Sequence, residues 1–371
     1  MTSLRPREQI LLIAPTLHRS RGGQERSILE YRDQLRSALL DVRVASPGDA
    51  DIPLRVHGLT RAGRTRCVLK SAEAAARAAR SAGVIVHSML PISSAHLYMP
   101  RGGLYPVAYA RNLRSRPAGA GRVLAQGVAV FNGVRRVLLS AERRILTAPD
   151  GPLLVALSDL VATGAKEHYG LAKERVRVVR NGVQLERLRL SLSAIEAKRA
   201  LGTRDDEVLF LAIAENHRLK GIAELVRAFE ALPKDRLAKL RILGGPICTS
   251  ADPRIQFLGH REDVPVHLLA ADVLVHPTYY DPSSRVVLEA IAMHKPVITT
   301  EWNGAADFLR HGGGVVLRDP SDTVALGEAL ERLLEASERK RMSASLLPLR
   351  RAVSMERHVE EMLDVYSECR S

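Results

Sequence analysis

At 371 residues, 46% of them apolar and only 4% aromatic, the chain is too long for one ordinary core and predicts two, built on Leu, Val, Ala and Ile. That composition excludes a disordered, fibrous or low-complexity protein. The formal net charge of +14 sits in the first half, where residues 1–180 hold 29 Lys and Arg against 13 Asp and Glu, with no acid between Glu73 and Glu142. Two readings of this basic half stay open: an anionic partner, or plain solubilising charge.

In chain order, ILLIA (10–14) reads as a short buried strand, not a signal peptide, because Pro15 ends the apolar run after five residues. A loop with Arg21-Gly22-Gly23 follows. The next stretch, QERSILEYRDQLRSALL, places Ile28, Leu29, Tyr31, Leu35, Leu39 and Leu40 at helical spacing. Asp49-Ala50-Asp51 is formally a DxD, but Pro47-Gly48 and Pro53 around it predict a surface turn. VRVAS (42–46), GVIVHS (83–88) and LLVALS (153–158) are further strands. This rhythm of strand and helix predicts a parallel sheet covered by helices.

Between those strands, His87, His96 and Arg101 are candidates for polar chemistry. A histidine at a strand end is more often structural, whereas Arg101-Gly102-Gly103 sets a cation beside a glycine pair, a setting that suits an anionic group. Residues 111–146 mix Arg with apolar residues at helical intervals. That segment fits either an anionic membrane surface or helices with solvated Arg faces.

The pattern restarts near residue 205 with VLFLAIAE (208–215), LRILGG (240–245), DVLVHPT (272–278) and KPVITT (295–300). The turn signal Asn181-Gly182 marks the boundary. The expected organisation is an α/β protein with two doubly wound domains, residues 1–180 and 181–350, and a final helix over 351–371 returning toward the first domain. Cys67, Cys248 and Cys369 are sparse and form no CxxC pair, which predicts a reducing compartment and no zinc site. No cluster of acids or histidines has ligand spacing, so no metal is expected. No run approaches the roughly 20 apolar residues of a membrane span. The expected location is the cytoplasm, either free or peripheral at the inner face of its membrane.

Two stretches carry the chemistry. HPTYYDPSSRVVLEAIAMHKPVITT (276–300) is a complete βαβ unit. Its turn Asp281-Pro282-Ser283-Ser284 offers hydroxyls for capping a helix through Val286, Val287, Leu288, Ile291 and Ala292. The start of that helix, with Ser283, Ser284, Arg285 and Val286, presents free N–H groups and a positive dipole end to a phosphate. Asp281 and Glu289 bracket the site and suit sugar and ribose hydroxyls. In IAENHRLKGIAELVRAFEAL (213–232), Arg218 and Lys220 stand before Gly221 at another helix start. Cations are unfavourable there unless an anion joins them.

The first stretch resembles the E-x7-E signature of the retaining GT-B glycosyltransferases of family 4, with Asp281 in place of the first Glu and Arg285 where Gly often stands. The second resembles that family's diphosphate-gripping loop, and Gly22-Gly23 its N-terminal glycine loop. Supporting likeness runs through 154–188, with its NGV turn, through 255–277, the segment that passes the nucleobase, and to Asn303-Gly304. The lipopolysaccharide-core α-glucosyltransferases are most alike in kind.

The resemblance implies a GT-B fold, two Rossmann-like domains facing across a cleft. It implies metal-independent, anomer-retaining transfer of a hexose from a nucleotide-diphosphate sugar, UDP-linked by preference, with no other cofactor. Arg218, Lys220, the Gly22-Gly23 loop and the helix start would hold the diphosphate. Asp281 would meet the sugar, Glu289 the ribose, and Arg101 the reacting centre. The leaving diphosphate would assist deprotonation of the acceptor, an envelope glycan or glycolipid. Two rivals remain: a nucleic-acid-binding protein, for which no module or aromatic platform is present, and a GT-B protein that does not transfer.

Overall fold

The computed structural model describes residues 9–17, 23–38, 40–117, 119, 122, 127 and 132–369, without the side chains of residues 23–26. The chain divides into two compact units. One comprises residues 1–113, 117–181 and 355–371, the other 114–116 and 182–354.

In the N-terminal unit seven parallel strands run in the order β3-β2-β1-β4-β5-β6-β7. They are β1 (Gln9–Ile13), β2 (Asp41–Ser46), β3 (Ile52–Pro53), β4 (Ile85–Ser88), β5 (Leu97–Tyr98), β6 (Leu153–Ala156) and β7 (Val176–Val178). Helices α1 (Gly23–Ser37), α2 (Arg61–Ser81), α3 (Tyr105–Arg114), α4 (Gly133–Thr147) and α5 (Asp159–Tyr169) connect them. Ile10 to Ile13 are all buried, as a strand covered on both faces requires.

The C-terminal unit has six parallel strands in the order β10-β9-β8-β11-β12-β13. They are β8 (Val208–Ile213), β9 (Ala238–Leu243), β10 (Ile255–Gly259), β11 (Val273–His276), β12 (Val297–Thr300) and β13 (Gly314–Leu317). Their helices are α6 (Ala194–Ala200), α7 (Ile222–Glu230), α8 (Val264–Ala270), α9 (Arg285–Ala292), α10 (Thr323–Arg332) and α11 (Ala336–Leu346). The expected α/β class with parallel sheets is therefore the observed one.

The last helix, α12 (Met355–Glu368), clusters with the N-terminal residues. Met355, Val359, Met362, Val365 and Tyr366 are buried on one face at helical spacing. That face joins the core containing Ile28, Tyr31 and Leu35 of α1, and the Tyr31 and Tyr366 hydroxyls meet at 2.7 Å. Burying each such large side chain contributes roughly 1.5–3 kcal/mol.

Strands end short of the apolar runs for local reasons. Gly83, at φ +73, turns the chain out of α2, so β4 begins at Ile85. Ser158 leaves β6 to cap α5, accepting the Val161 N–H at 3.4 Å. The short β3 and β5 were not legible as strands. Asp51 lies just before β3 and its carboxylate accepts the Val44 N–H at 2.8 Å.

Candidate functional site

Strand order fixes where ligands can gather in the C-terminal unit. From β8 the chain moves outward to β9 and β10, then crosses to β11 on the other side of β8. Crevices at such a switch point, beyond the carboxyl ends of the strands, are where open α/β sheets bind ligands. The loops leaving β8, β11 and β12 carry Arg218 and Lys220, Asp281 to Ser284, and Asn303.

Threonines and an asparagine knit these loops together. Thr278 Oγ1 donates to Leu219 O at 3.2 Å, and the Tyr279 N–H to the same carbonyl at 2.8 Å. Thr300 Oγ1 donates to Thr278 O at 2.6 Å, and Asn303 Nδ2 to Thr299 Oγ1 at 2.9 Å. Asp281 is pinned by its backbone, its N–H on Trp302 O and its carbonyl on the Gly304 N–H. Gly221 is required where it stands: its φ is +67, and a Cβ there would lie 2.2 Å from Pro277 O.

Lys220 Nζ and Asp281 Oδ2 lie 2.5 Å apart, with the side chains 19% and 16% exposed. Sequence reading gave these residues separate ligand groups; the fold joins them. His276, buried at the end of β11, places Nε2 3.6 Å from the same Asp281 oxygen and 3.3 Å from Ser284 Oγ. Burial alone would raise the Asp281 pKa, but Lys220 and His276 outweigh it and hold the carboxyl well below its ordinary range. Burial lowers the His276 pKa, against the opposing pull of Asp281. No motif in the sequence marks His276; a lone histidine closing an apolar strand is its one signal.

Helix α9 begins as expected after Ser284, but the hydroxyl does not cap it. Ser284 Oγ faces His276, and its N–H donates to Asn303 Oδ1 at 3.2 Å. The Ser283 N–H donates to Asp281 Oδ1 at 3.2 Å. Both serines are buried, and Arg285 and Val286 open the helix. Glu289 lies one turn on, paired with Arg285 at 3.6 Å. The Arg218 pKa is lowered by burial and by the nearby Arg116 cation.

In the N-terminal unit Gly22 lies outside the described residues, and Gly23 is the first residue of α1. Arg101 follows β5, and its guanidinium donates to Ser27 Oγ and, at 3.4 Å, to Asn181 Oδ1. His87 is fully buried, its Nδ1 lies 2.7 Å from the Tyr366 hydroxyl, and burial, then Arg101, pushes its pKa down to about 3. His96 Nδ1 accepts the Val86 N–H at 2.9 Å, also a structural contact.

Comparison with known proteins follows this division. Residues 21–187 match the family model described as Glycosyltransferase Family 4, and residues 205–336 the one described as Glycosyl transferases group 1. The lipopolysaccharide glucosyltransferase WaaG of Escherichia coli is 26% identical over 232 residues, 58% of this chain and 59% of that protein. The match thus spans about three-fifths of that relative's length. The crystal structure of WaaG superposes with a TM-score of 0.76 at 19% identity, covering 96% of this chain and 99% of that one. Anabaena Alr3699/HepE in complex with UDP-glucose gives 0.68 at 16%, covering 97% and 99%.

Proposed function

The chain belongs to the family 4 glycosyltransferases of GT-B fold, and on that premise we propose that it moves a hexose from a nucleotide-diphosphate sugar to an envelope glycan or glycolipid. One observation supports this reading above others. Three groups suited to a sugar diphosphate, distant in sequence, meet at one switch point: Lys220, Asp281 and the start of α9.

Lys220 and Arg218 bind the diphosphate and neutralise the charge that grows on it as the sugar bond breaks. The N–H groups of Arg285 and Val286 share that task, with the helix dipole behind them. Glu289 accepts the ribose hydroxyls. When the diphosphate draws Lys220 toward itself, Asp281 accepts hydrogen bonds from the sugar hydroxyls. His276 holds the Asp281 carboxylate in place. On the N-terminal unit, the Gly22-Gly23 loop is assigned to the donor phosphates and Arg101 to the reacting centre.

Transfer retains the anomeric configuration and needs no metal, and the departing diphosphate takes the acceptor proton. UDP is the preferred nucleotide, since WaaG is a lipopolysaccharide glucosyltransferase and a neighbour of like fold binds UDP-glucose. The basic half of the chain suits an acceptor on an anionic membrane surface. Among the described residues no helix is long and apolar enough to cross a membrane.

The test is product analysis. Purified protein is incubated with UDP-glucose and lipopolysaccharide-core or lipid-linked acceptors in EDTA, and the new linkage is read by NMR. An α-linked product formed at an undiminished rate supports the reading. Inverted product, or turnover that stops in EDTA, contradicts the mechanism; nucleotide release without glycosylated product favours the non-transferring rival.

A further inference from the structure

The long acid-free stretch before Glu142 has a structural counterpart. Glu142, on α4, is 0% exposed. Burying a carboxylate is costly unless donors converge on it, and three do so here. Tyr98 OH donates to Oε1 at 2.6 Å, Tyr169 OH to Oε2 at 2.7 Å, and the Tyr105 N–H to Oε2 at 2.9 Å. Burial raises the Glu142 pKa, and the hydrogen bonds from Tyr98, Tyr169 and Tyr105 work against that rise.

Two of the three donors flank one loop. Tyr98 ends β5 and Tyr105 begins α3; between them runs Met99 to Leu104, the segment that carries Arg101. Inside the loop the Gly103 N–H closes a turn on Pro100 O at 2.8 Å, with Gly103 at φ +77. Tyr169 holds the carboxylate from α5. One buried carboxylate therefore ties both ends of the Arg101 loop to the helix layer of the same unit.

We propose that Glu142 is the positioning residue of the Arg101 loop, fixing its two ends so that the guanidinium is presented from a rigid support. Glu142 touches no ligand; it acts through Arg101. The inference rests on the reading that Arg101 serves transfer.

The test joins amide hydrogen exchange to a double-mutant cycle on the full chain. Glu142→Gln keeps the shape but sets an amide donor against these donors. It is expected to speed exchange across residues 99–104 while peptides of the C-terminal unit stay as in the parent. In transfer assays it lowers kcat about tenfold and leaves the donor KM within roughly twofold. In an Arg101→Ala background it lowers kcat no further, since groups that act as a unit are not additive. Tyr98→Phe, which removes one donor only, shows the same pattern in smaller measure should Glu142→Gln fold poorly. Glu73→Gln, at an acid that holds Ser93 and Ser94 of another loop, leaves the rate unchanged. Unaltered exchange over 99–104, or losses that add in the double variant, overturns the proposal. If no sugar is transferred by the parent protein, the transfer reading fails while the exchange result still decides the clamp.

Discussion

Lys220 Nζ lies 2.5 Å from Asp281 Oδ2, so the cation assigned to the donor's diphosphate and the acid assigned to its sugar neutralise each other in the free site. Each keeps the other solvated in a crevice where either alone would be costly. Under the proposed function, donor binding is a swap at this pair: the diphosphate takes over Lys220 as sugar hydroxyls take over Asp281.

Removing one partner therefore costs more than removing both. Lys220→Met should destabilise the protein by about 3–5 kcal/mol, because Asp281 is left mostly buried without its cation. Lys220→Met with Asp281→Asn should recover part of that loss. Denaturant unfolding of both single variants and the double gives the coupling energy, expected at about 0.5–3 kcal/mol; strict additivity would refute the pairing.

The pair also predicts a pH dependence. The Asp281 pKa is lowered in the folded state, so its contribution is fully present above the unfolded aspartate value of about 3.9 and is lost as pH falls through the folded one. The stability difference between the parent and Asp281→Asn should be flat above about pH 5 and shrink in acid. A difference that grows as pH falls would have the wrong sign.

Gly221→Ala tests the loop geometry. The new Cβ would meet Pro277 O in a left-handed conformation, so a loss of at least about 1–2 kcal/mol is expected. Nucleotide affinity should fall with it, because Lys220 is the preceding residue. An alanine variant with parent-like melting and binding would show that the loop is free to move.

Glu289→Gln should weaken binding of a nucleoside diphosphate by about 1.5–3 kcal/mol, the usual worth of a hydrogen bond to a charged group. Calorimetric titration checks this. Equal affinities would remove Glu289 from the ribose.

Much of this was legible in the sequence because it is periodic or punctuated. Buried runs such as VLFLAI and VLVH announce parallel strands, and Asp281 to Glu289 carries its spacing openly. Side-chain partners across loops were not legible. His276 reads as the end of an apolar strand, and only the fold sets it beside Asp281. Ser284 has the composition of a helix cap, yet its hydroxyl turns inward to His276 and Asn303 takes its N–H. His87 read as a candidate by position alone, and the helix returning from the far end of the chain buries it under Tyr366. Glu142 lies 37 residues from Tyr105 and 44 from Tyr98, and no local pattern links them.

The most direct measurement is a thermal-shift panel with UDP, GDP, ADP, CDP and dTDP on the parent protein, Lys220→Ala and the remote Lys234→Ala. A ligand of the folded state adds about 2.7 kcal/mol at 100 times its dissociation constant. One nucleotide should raise the melting temperature of the parent and of Lys234→Ala, and leave Lys220→Ala unmoved. No shift with any nucleotide at millimolar concentration, or an equal shift in Lys220→Ala, would contradict a donor site at Lys220 and Asp281.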